Sequence, residues 1–256
     1  MVHADSDRHS IVLVMMLVEG GIALAALPFV TLPAPHAWGW LLGGTVLRVT
    51  YTIILLRAYA RTELSRIYPI ARGTAPVVLG LLGLILFGER LTTHATLAVL
   101  AITGGVLLIA RVDQRSVLHA HTLGFGITLS IFIAGYSLVD ARGVRASGDP
   151  FGYAALAFLG ECVGFFGCTF WLRGRRTFAL AAAAKTGIVA GLLGTLSYLV
   201  ALWAFTRAPA ALVAALRETS VLFALMFARA SLREKVALRD WAGAILIVAG
   251  AATLRM

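Results

Sequence analysis

The chain has 256 residues, 60% of them hydrophobic and only 13% charged, with a formal net charge of +10. A soluble domain is nearer half apolar and a quarter charged, so a soluble globular fold is excluded. The apolar runs are too long and too weakly alternating for barrel strands and read as helices of about 20 residues, the length that crosses a hydrocarbon core of about 30 Å.

Nine spans are predicted, at roughly 10–30, 38–60, 67–87, 94–110, 121–139, 151–171, 186–206, 209–228 and 238–254. The polar, mixed-charge start "MVHADSDRH" does not read as a cleavable signal peptide. The connections are short and carry breaker chemistry: "LPAPH" at 32–36, "SGDP" at 147–150, and Pro209 opening the eighth span. The basic residues fall mostly between the runs. They read as topology charge facing the cytoplasm and anionic lipid, and nucleic acid is not expected as a partner. Arg8, Arg57, Arg61, Arg66, Arg111, Arg115, Arg173, Arg175, Arg176, Lys185, Arg229, Arg233, Lys235 and Arg239 share one side, against Arg90, Arg142, Arg145, Arg207 and Arg255 on the other. That bias predicts the first side to be cytoplasmic. Plentiful arginine with scarce lysine hints at a GC-rich bacterial genome, hence a multi-pass protein of a bacterial inner membrane. Cys162 and Cys168 sit on different faces of one span and suggest neither a disulfide nor a metal site.

Two stretches look duplicated. Arg72 falls on Arg217, Glu89 on Glu234, Arg90 on Lys235 and Gly105 on Gly250, all at an offset of 145. The sixth span shifted back by 145 begins near the first. Two repeats are therefore expected, 1–115 and 116–256. The fifth span has no counterpart, so the first repeat is expected to lack its first helix, through a misplaced start codon or a truncation. Five helices per unit would put the second copy upside down relative to the first, as in many secondary transporters, with a site near the midplane.

"SRIYPIARGTAPVVLGLLGLILFGERLTTHATLAVLAITGGVLLI" and "LVAALRETSVLFALMFARASLREKVALRDWAGAILIVAGAATL" resemble the EamA-type repeat of the drug/metabolite transporter superfamily. In that repeat a proline-bearing helix ends in a Gly-Glu-Arg-Leu-like turn, followed by a glycine-containing helix. The resemblance covers nearly the whole chain and implies an all-α bundle of two inverted five-helix repeats, here of nine spans. It also implies a central cavity, lined in this chain by the spans at 38–60, 67–87, 121–139, 186–206 and 209–228.

Glu19, Arg48, Glu161, Arg217 and Glu218 each lie within about two residues of a span midpoint, and Arg72 about five residues from its own. A charge at a helix centre costs about 2.5–3.5 kcal/mol to insert, so these residues should face the bundle interior, a wet cavity or one another. Mutual pairing would suffice for Glu19 and Glu161, which otherwise read as coupling residues. Arg72 and Arg217, equivalent in the two repeats and beside the implied cavity, suit a carboxylate or phosphate. Glu218 points about 100° away from Arg217. It could pair with a neighbouring arginine or carry a coupling proton. Ser220 completes the polar tetrad.

Tyr51, Tyr136 and Tyr198 lie deep enough to offer a ring and a hydroxyl to substrate, though buried packing explains them equally. Tyr59, Tyr68 and Trp203 read as interfacial belt residues. On span 67–87, Pro69, Gly73, Pro76, Gly80 and Gly83 fall near one face. The glycines suit close helix packing, and the two prolines mark a candidate hinge. "FGERL" and "LREKV" read as solvated helix ends.

The six histidines, at 3, 9, 36, 94, 119 and 121, avoid span centres. That disfavours a membrane-embedded metalloprotease or serine–histidine hydrolase. No glycine loop precedes a lysine to cradle phosphate, so ATP-driven transport is not expected. The sequence thus predicts no enzyme, cofactor or metal. It predicts a secondary transporter, an exporter by alternating access, of a small polar or anionic metabolite. The alternatives are a non-transporting subunit or scaffold, and a flippase of a lipid-linked headgroup. The lipid bilayer and a small-molecule substrate are the expected partners, and a homodimer is compatible with this reading.

Overall fold

The structure, a computed structural model, describes residues 2–61, 64–109, 120–173, 180–223, 225–226 and 237–253. Among these residues there is no strand. The α-helices are α1 (Val2–Ala26), α2 (Trp38–Arg61), α3 (Leu64–Phe87), α4 (Thr93–Ile109), α5 (Ala120–Ser147), α6 (Pro150–Arg173), α7 (Leu180–Phe205), α8 (Ala210–Arg217) and α9 (Leu238–Thr253). Six apolar segments are long enough to cross a membrane: Arg8–Phe29, Pro35–Ala58, Ile70–Phe87, Thr122–Ser147, Pro150–Trp171 and Leu180–Phe205. Helices α4 and α9 are shorter. Large apolar side chains point outward all along these helices, for example Leu42, Val163, Leu193 and Ile245, while Glu19, Arg48, Asp140, Glu161 and Glu218 are buried. Apolar outside with charge inside is the distribution a lipid solvent selects.

The turns follow the breaker residues. Gly88 adopts a left-handed φ of 64°, its N–H donates to Leu84 O at 3.0 Å, and the Glu89 N–H donates to Gly83 O at 3.0 Å. The Gly88 bond is the 5→1 closure of an αL cap, so the glycine of "FGERL" ends α3. Gly148 is likewise left-handed, at φ 81°. Next to it Asp149 accepts the Phe151 N–H at 2.9 Å and the Thr31 N–H at 3.0 Å, ahead of Pro150 at the start of α6.

The helices group into two compact units, residues 1–60 with 139–207, and residues 61–138 with 208–256. Each unit draws helices from both sides of residue 115. In the first, α1 packs against α6 and α7. Gly187 and Gly191 of α7 make this possible. A Cβ at Gly187 would stand 2.5 Å from Val14 Cβ, and one at Gly191 would stand 2.9 Å from Met15 O. This is small-residue packing at four-residue spacing. Arg145 closes the C-terminal end of α7 by donating to Phe205 O at 2.8 Å.

In the second unit α4 lies against α9. A Cβ on Gly105 would meet Gly243 O at 2.6 Å and Ile247 at 2.7 Å, and one on Gly250 would meet Ala98 O at 3.0 Å and Ile102 at 2.9 Å. The helices are therefore antiparallel. Residues 98, 102 and 105 become 243, 247 and 250 under the offset of 145, so each of these contacts is the image of another. Helix α3 packs on α4 and α8, and Thr74 on α3 donates to Ile70 O at 2.7 Å while meeting the Ser130 hydroxyl at 2.9 Å.

Two predicted elements end differently. The span expected at 121–139 continues through Asp140 to Ser147, because Ala141 and Val144 keep its buried face apolar. The span expected at 209–228 is interrupted: α8 stops at Arg217, Glu218 and Thr219 form a turn, and helix resumes at Ser220. Around that turn the bonds are of i→i−3 type, from Glu218 N–H to Ala215 O at 3.0 Å and from Thr219 N–H to Leu216 O at 3.1 Å. Thr219 Oγ1 also donates to Leu216 O at 2.6 Å, a side-chain bond that competes with the helix ladder. Helix α3, which carries the candidate hinge, is helical through Pro76. The side chains of Tyr59 and Pro69 and the whole "LREKV" turn, with Glu234 and Lys235, lie outside the described residues.

Candidate functional site

Each unit holds one cluster of charged and phenolic side chains. In the second unit, Arg72 on α3 reaches Glu218 at the interruption of α8. Its Nε and Nη2 donate to one carboxylate oxygen, Oε1, at 3.1 and 3.0 Å. Its Nη1 donates to the Tyr68 hydroxyl, one helical turn away, at 2.8 Å, and the guanidinium carbon stands 5.6 Å from the Tyr68 ring centroid. The Glu218 side chain is nearly enclosed, at 7% exposure, while Arg72 keeps 28%. The pair thus has a covered anion and a partly open cation. Tyr136 on α5 lies within electrostatic reach of Arg72. Arg217 is half-buried beside Glu218, and Ser220 is exposed.

In the first unit, Arg48 on α2 is the only cation described at the centre of three buried carboxylates. Its Nη1 lies 3.5 Å from Asp140 Oδ2, and its Nε lies 3.4 Å from Glu161 Oε2. Asp140 is fully enclosed. It accepts the Tyr153 hydroxyl on Oδ1 at 2.9 Å and the Tyr198 hydroxyl on Oδ2 at 2.6 Å. Arg48 also stacks over Tyr198, 5.3 Å from the ring centroid. Glu19 on α1 is buried as well, with Oε1 2.9 Å from where a Cβ at Gly194 would stand. Tyr51, half-buried on α2, belongs to the same unit.

The predicted residues are therefore brought together in two sets: Arg72 with Glu218, and Arg48 with Tyr198 and Glu161. Sequence reasoning missed Asp140 and Tyr153 and assigned Tyr68 to the membrane interface. The available signal for Asp140 was an acidic residue four positions after Tyr136 in a stretch that stays apolar on one face. A separate cavity of about 510 Å³ in the second unit is lined mainly by apolar side chains of α3 and α4, with Glu89, Arg90 and Thr96 as its polar members. It includes neither Arg72 nor Glu218.

Apolar helices that enclose paired charges in their interior define a multi-pass membrane protein with a polar core. Residues 122–256 match the family model of the EamA-like transporter family. That is more than half of the chain, and the protein belongs to this family, part of the drug/metabolite transporter superfamily. A solved crystal structure is similar over 96% of this chain and 86% of its own, with a TM-score of 0.75 at 14% identity, a likeness of fold alone. Among curated proteins none matches the chain significantly.

Proposed function

We propose that the protein is a secondary transporter that exports a small polar or anionic metabolite by alternating access across a bacterial inner membrane, without enzymatic chemistry. The observation that carries this reading is the Arg72–Glu218 pair at the interruption of α8. A broken helix at membrane depth is tolerated where protein or water satisfies its backbone, and discontinuous helices are where transporters bind substrates. The half-open guanidinium of Arg72 has a single-oxygen partner that a substrate carboxylate or phosphate can replace in a bidentate geometry. Arg217, one residue before Glu218, supplies a second positive charge for that anion. Ser220, Tyr136, Tyr51, Tyr198 and Arg48 are assigned to the substrate route, and Pro69 and Pro76 to its hinge. Glu19 and Glu161 are assigned to coupling.

The architecture proposed is two inverted repeats, 1–115 and 116–256. The antiparallel α4–α9 contact supports it, because exchange of each residue with its partner 145 positions away maps that contact onto itself, as a two-fold axis between copies requires.

Metabolite profiling of the medium of cells expressing the chain, followed by vesicle efflux of the compounds it enriches, tests this reading. Arg72→Ala and Arg217→Ala should abolish efflux while leaving membrane expression intact. Wild-type efflux in both variants would refute the anion site, and an unchanged profile for the wild-type chain would favour a scaffold.

A further inference from the structure

Asp140 and Arg48 neutralise each other. Two tyrosine hydroxyls donate to Asp140, and Arg48, a cation in every setting a protein offers, lies 3.5 Å from it. Two carboxyls then remain, Glu161 and Glu19, both buried, and no second cation is described in the cluster. They lie on helices that pack together, α1 and α6. A Cβ on Gly20, next to Glu19, would stand 2.8 Å from the sulfur of Cys162, next to Glu161. The titratable and charged groups around this pair are Arg48 from α2, which meets Glu161 directly, Cys162 from α6, and Asp140 from α5, with the hydroxyls of Tyr153 from α6 and Tyr198 from α7 held on Asp140. Only Arg48 is positive.

The guanidinium supplies the second observation. Nε, Nη1 and Nη2 of Arg48 are all buried, and none has a hydrogen-bond partner in this arrangement. The two carboxylates it faces stand at 3.4 and 3.5 Å, beyond the roughly 2.7–2.9 Å of a charge-assisted hydrogen bond. Arg48 is poised between Asp140 and Glu161, with its donors unmet.

We propose that Glu19 and Glu161 form a proton-binding site, which holds one exchangeable proton under Arg48 and is separate from the Arg72–Glu218 pair. Two buried like charges that share their one cation with Asp140 are expensive, and a bound proton halves the excess charge. With the proton bound, Glu161 is a neutral acid and Arg48 belongs to Asp140. When the proton leaves, Glu161 becomes a carboxylate and draws Arg48 into hydrogen-bond distance, away from Asp140. No bond other than the O–H of the carboxyl is made or broken. Because Arg48 sits on α2, Glu161 on α6 and Asp140 on α5, one proton decides which helix α2 is tied to. This inference deepens the coupling part of the proposed transport.

Infrared difference spectroscopy of the reconstituted full chain, stepped from acid to mildly alkaline pH, tests it without a substrate. The wild-type protein should lose a buried carboxylic-acid C=O band on alkalinisation, amounting to about one group per chain. Carbon-13 glutamate labelling should shift that band. The band should be lost in E19Q or E161Q and kept in E218Q and in Arg72→Ala. A wild-type spectrum with no titrating acid band overturns the proposal, whatever the variants do. So does a band insensitive to glutamate labelling, which would assign the proton to Asp140, or a band lost only in E218Q. Transport can fail or persist independently of each of these readings.

Discussion

The Arg72–Glu218 pair can be weighed by a double-mutant cycle. Removal of one member of a fully buried pair costs about 3–5 kcal/mol, because the other is left uncompensated. Arg72 keeps 28% exposure, the Tyr68 hydroxyl at 2.8 Å and the Tyr68 ring, so its stranding in Glu218→Ala should cost less, about 2–3 kcal/mol. Arg72→Ala strands a carboxylate at 7% exposure and should cost at least as much. The double variant should recover about 1–3 kcal/mol relative to the sum of the singles, the range of coupling for residues in direct contact. Unfolding by sodium dodecyl sulfate from mixed micelles, followed by tryptophan fluorescence, reads all four corners. Additivity within about 0.5 kcal/mol would mean that the side chains do not share an ion pair, and would sink the geometry. The same cycle separates two roles for Glu218. As a counter-charge displaced by substrate, its replacement in Glu218→Gln leaves Arg72 more available, so the anionic substrate binds more tightly and efflux persists. As a coupling group, its loss abolishes concentrative efflux and spares exchange.

Asp140→Asn removes the fixed anion between Arg48, Tyr153 and Tyr198. A buried pair broken in this way should lower stability by about 3–5 kcal/mol, seen as a loss of monodisperse protein on gel filtration in detergent. Gly105→Ala would put a methyl 2.6 Å from a backbone carbonyl on α9 and should cost about 1–3 kcal/mol by overpacking. Gly104→Ala meets nothing within 4 Å and should be neutral or slightly stabilising. Equal unfolding midpoints for the two would refute the close α4–α9 approach. Gly88→Ala forces a Cβ into a φ of 64° and should cost about 1–2 kcal/mol in the same unfolding assay, with efflux preserved.

Helix positions were readable because lipid makes hydropathy decisive: α2 was expected at 38–60 and runs Trp38–Arg61, and α9 at 238–254 and runs Leu238–Thr253. The glycine turns were readable for a local reason, since only a residue without Cβ sits easily at the φ of Gly88 and Gly148. The polar clusters were not. Asp140 meets Arg48, 92 positions away in sequence, and Tyr198, 58 positions away, and no periodicity connects such residues. Asp140 also fell just past the expected end of its span, because the nearby Arg142 and Arg145 depress any average of hydropathy there. The interruption of α8 was hidden for a related reason. The differences in helix propensity among Arg, Glu, Thr and Ser amount to a few tenths of a kcal/mol each, and neither glycine nor proline marks the turn. A charge pair formed with another helix is the larger energy at that position.

The offset of 145 carries one more consequence for the site. In the proposed repeats Arg72 and Arg217 are equivalent, and the image of the Arg72–Glu218 pair would be Arg217 with a carboxylate at position 73. Position 73 is glycine, and a Cβ there would stand 2.9 Å from Leu107 and 3.3 Å from Val106 on α4. A glutamate there would have to displace the Leu107 and Val106 side chains. The proposed copies therefore keep their common packing, as Gly105 and Gly250 do, and differ where a charge is needed. In the proposed two-fold plan, an ion pair present once and absent at its image would give the two ends of the transport cycle different energies. An exporter needs such a difference if opening to one side is to release substrate that was bound from the other.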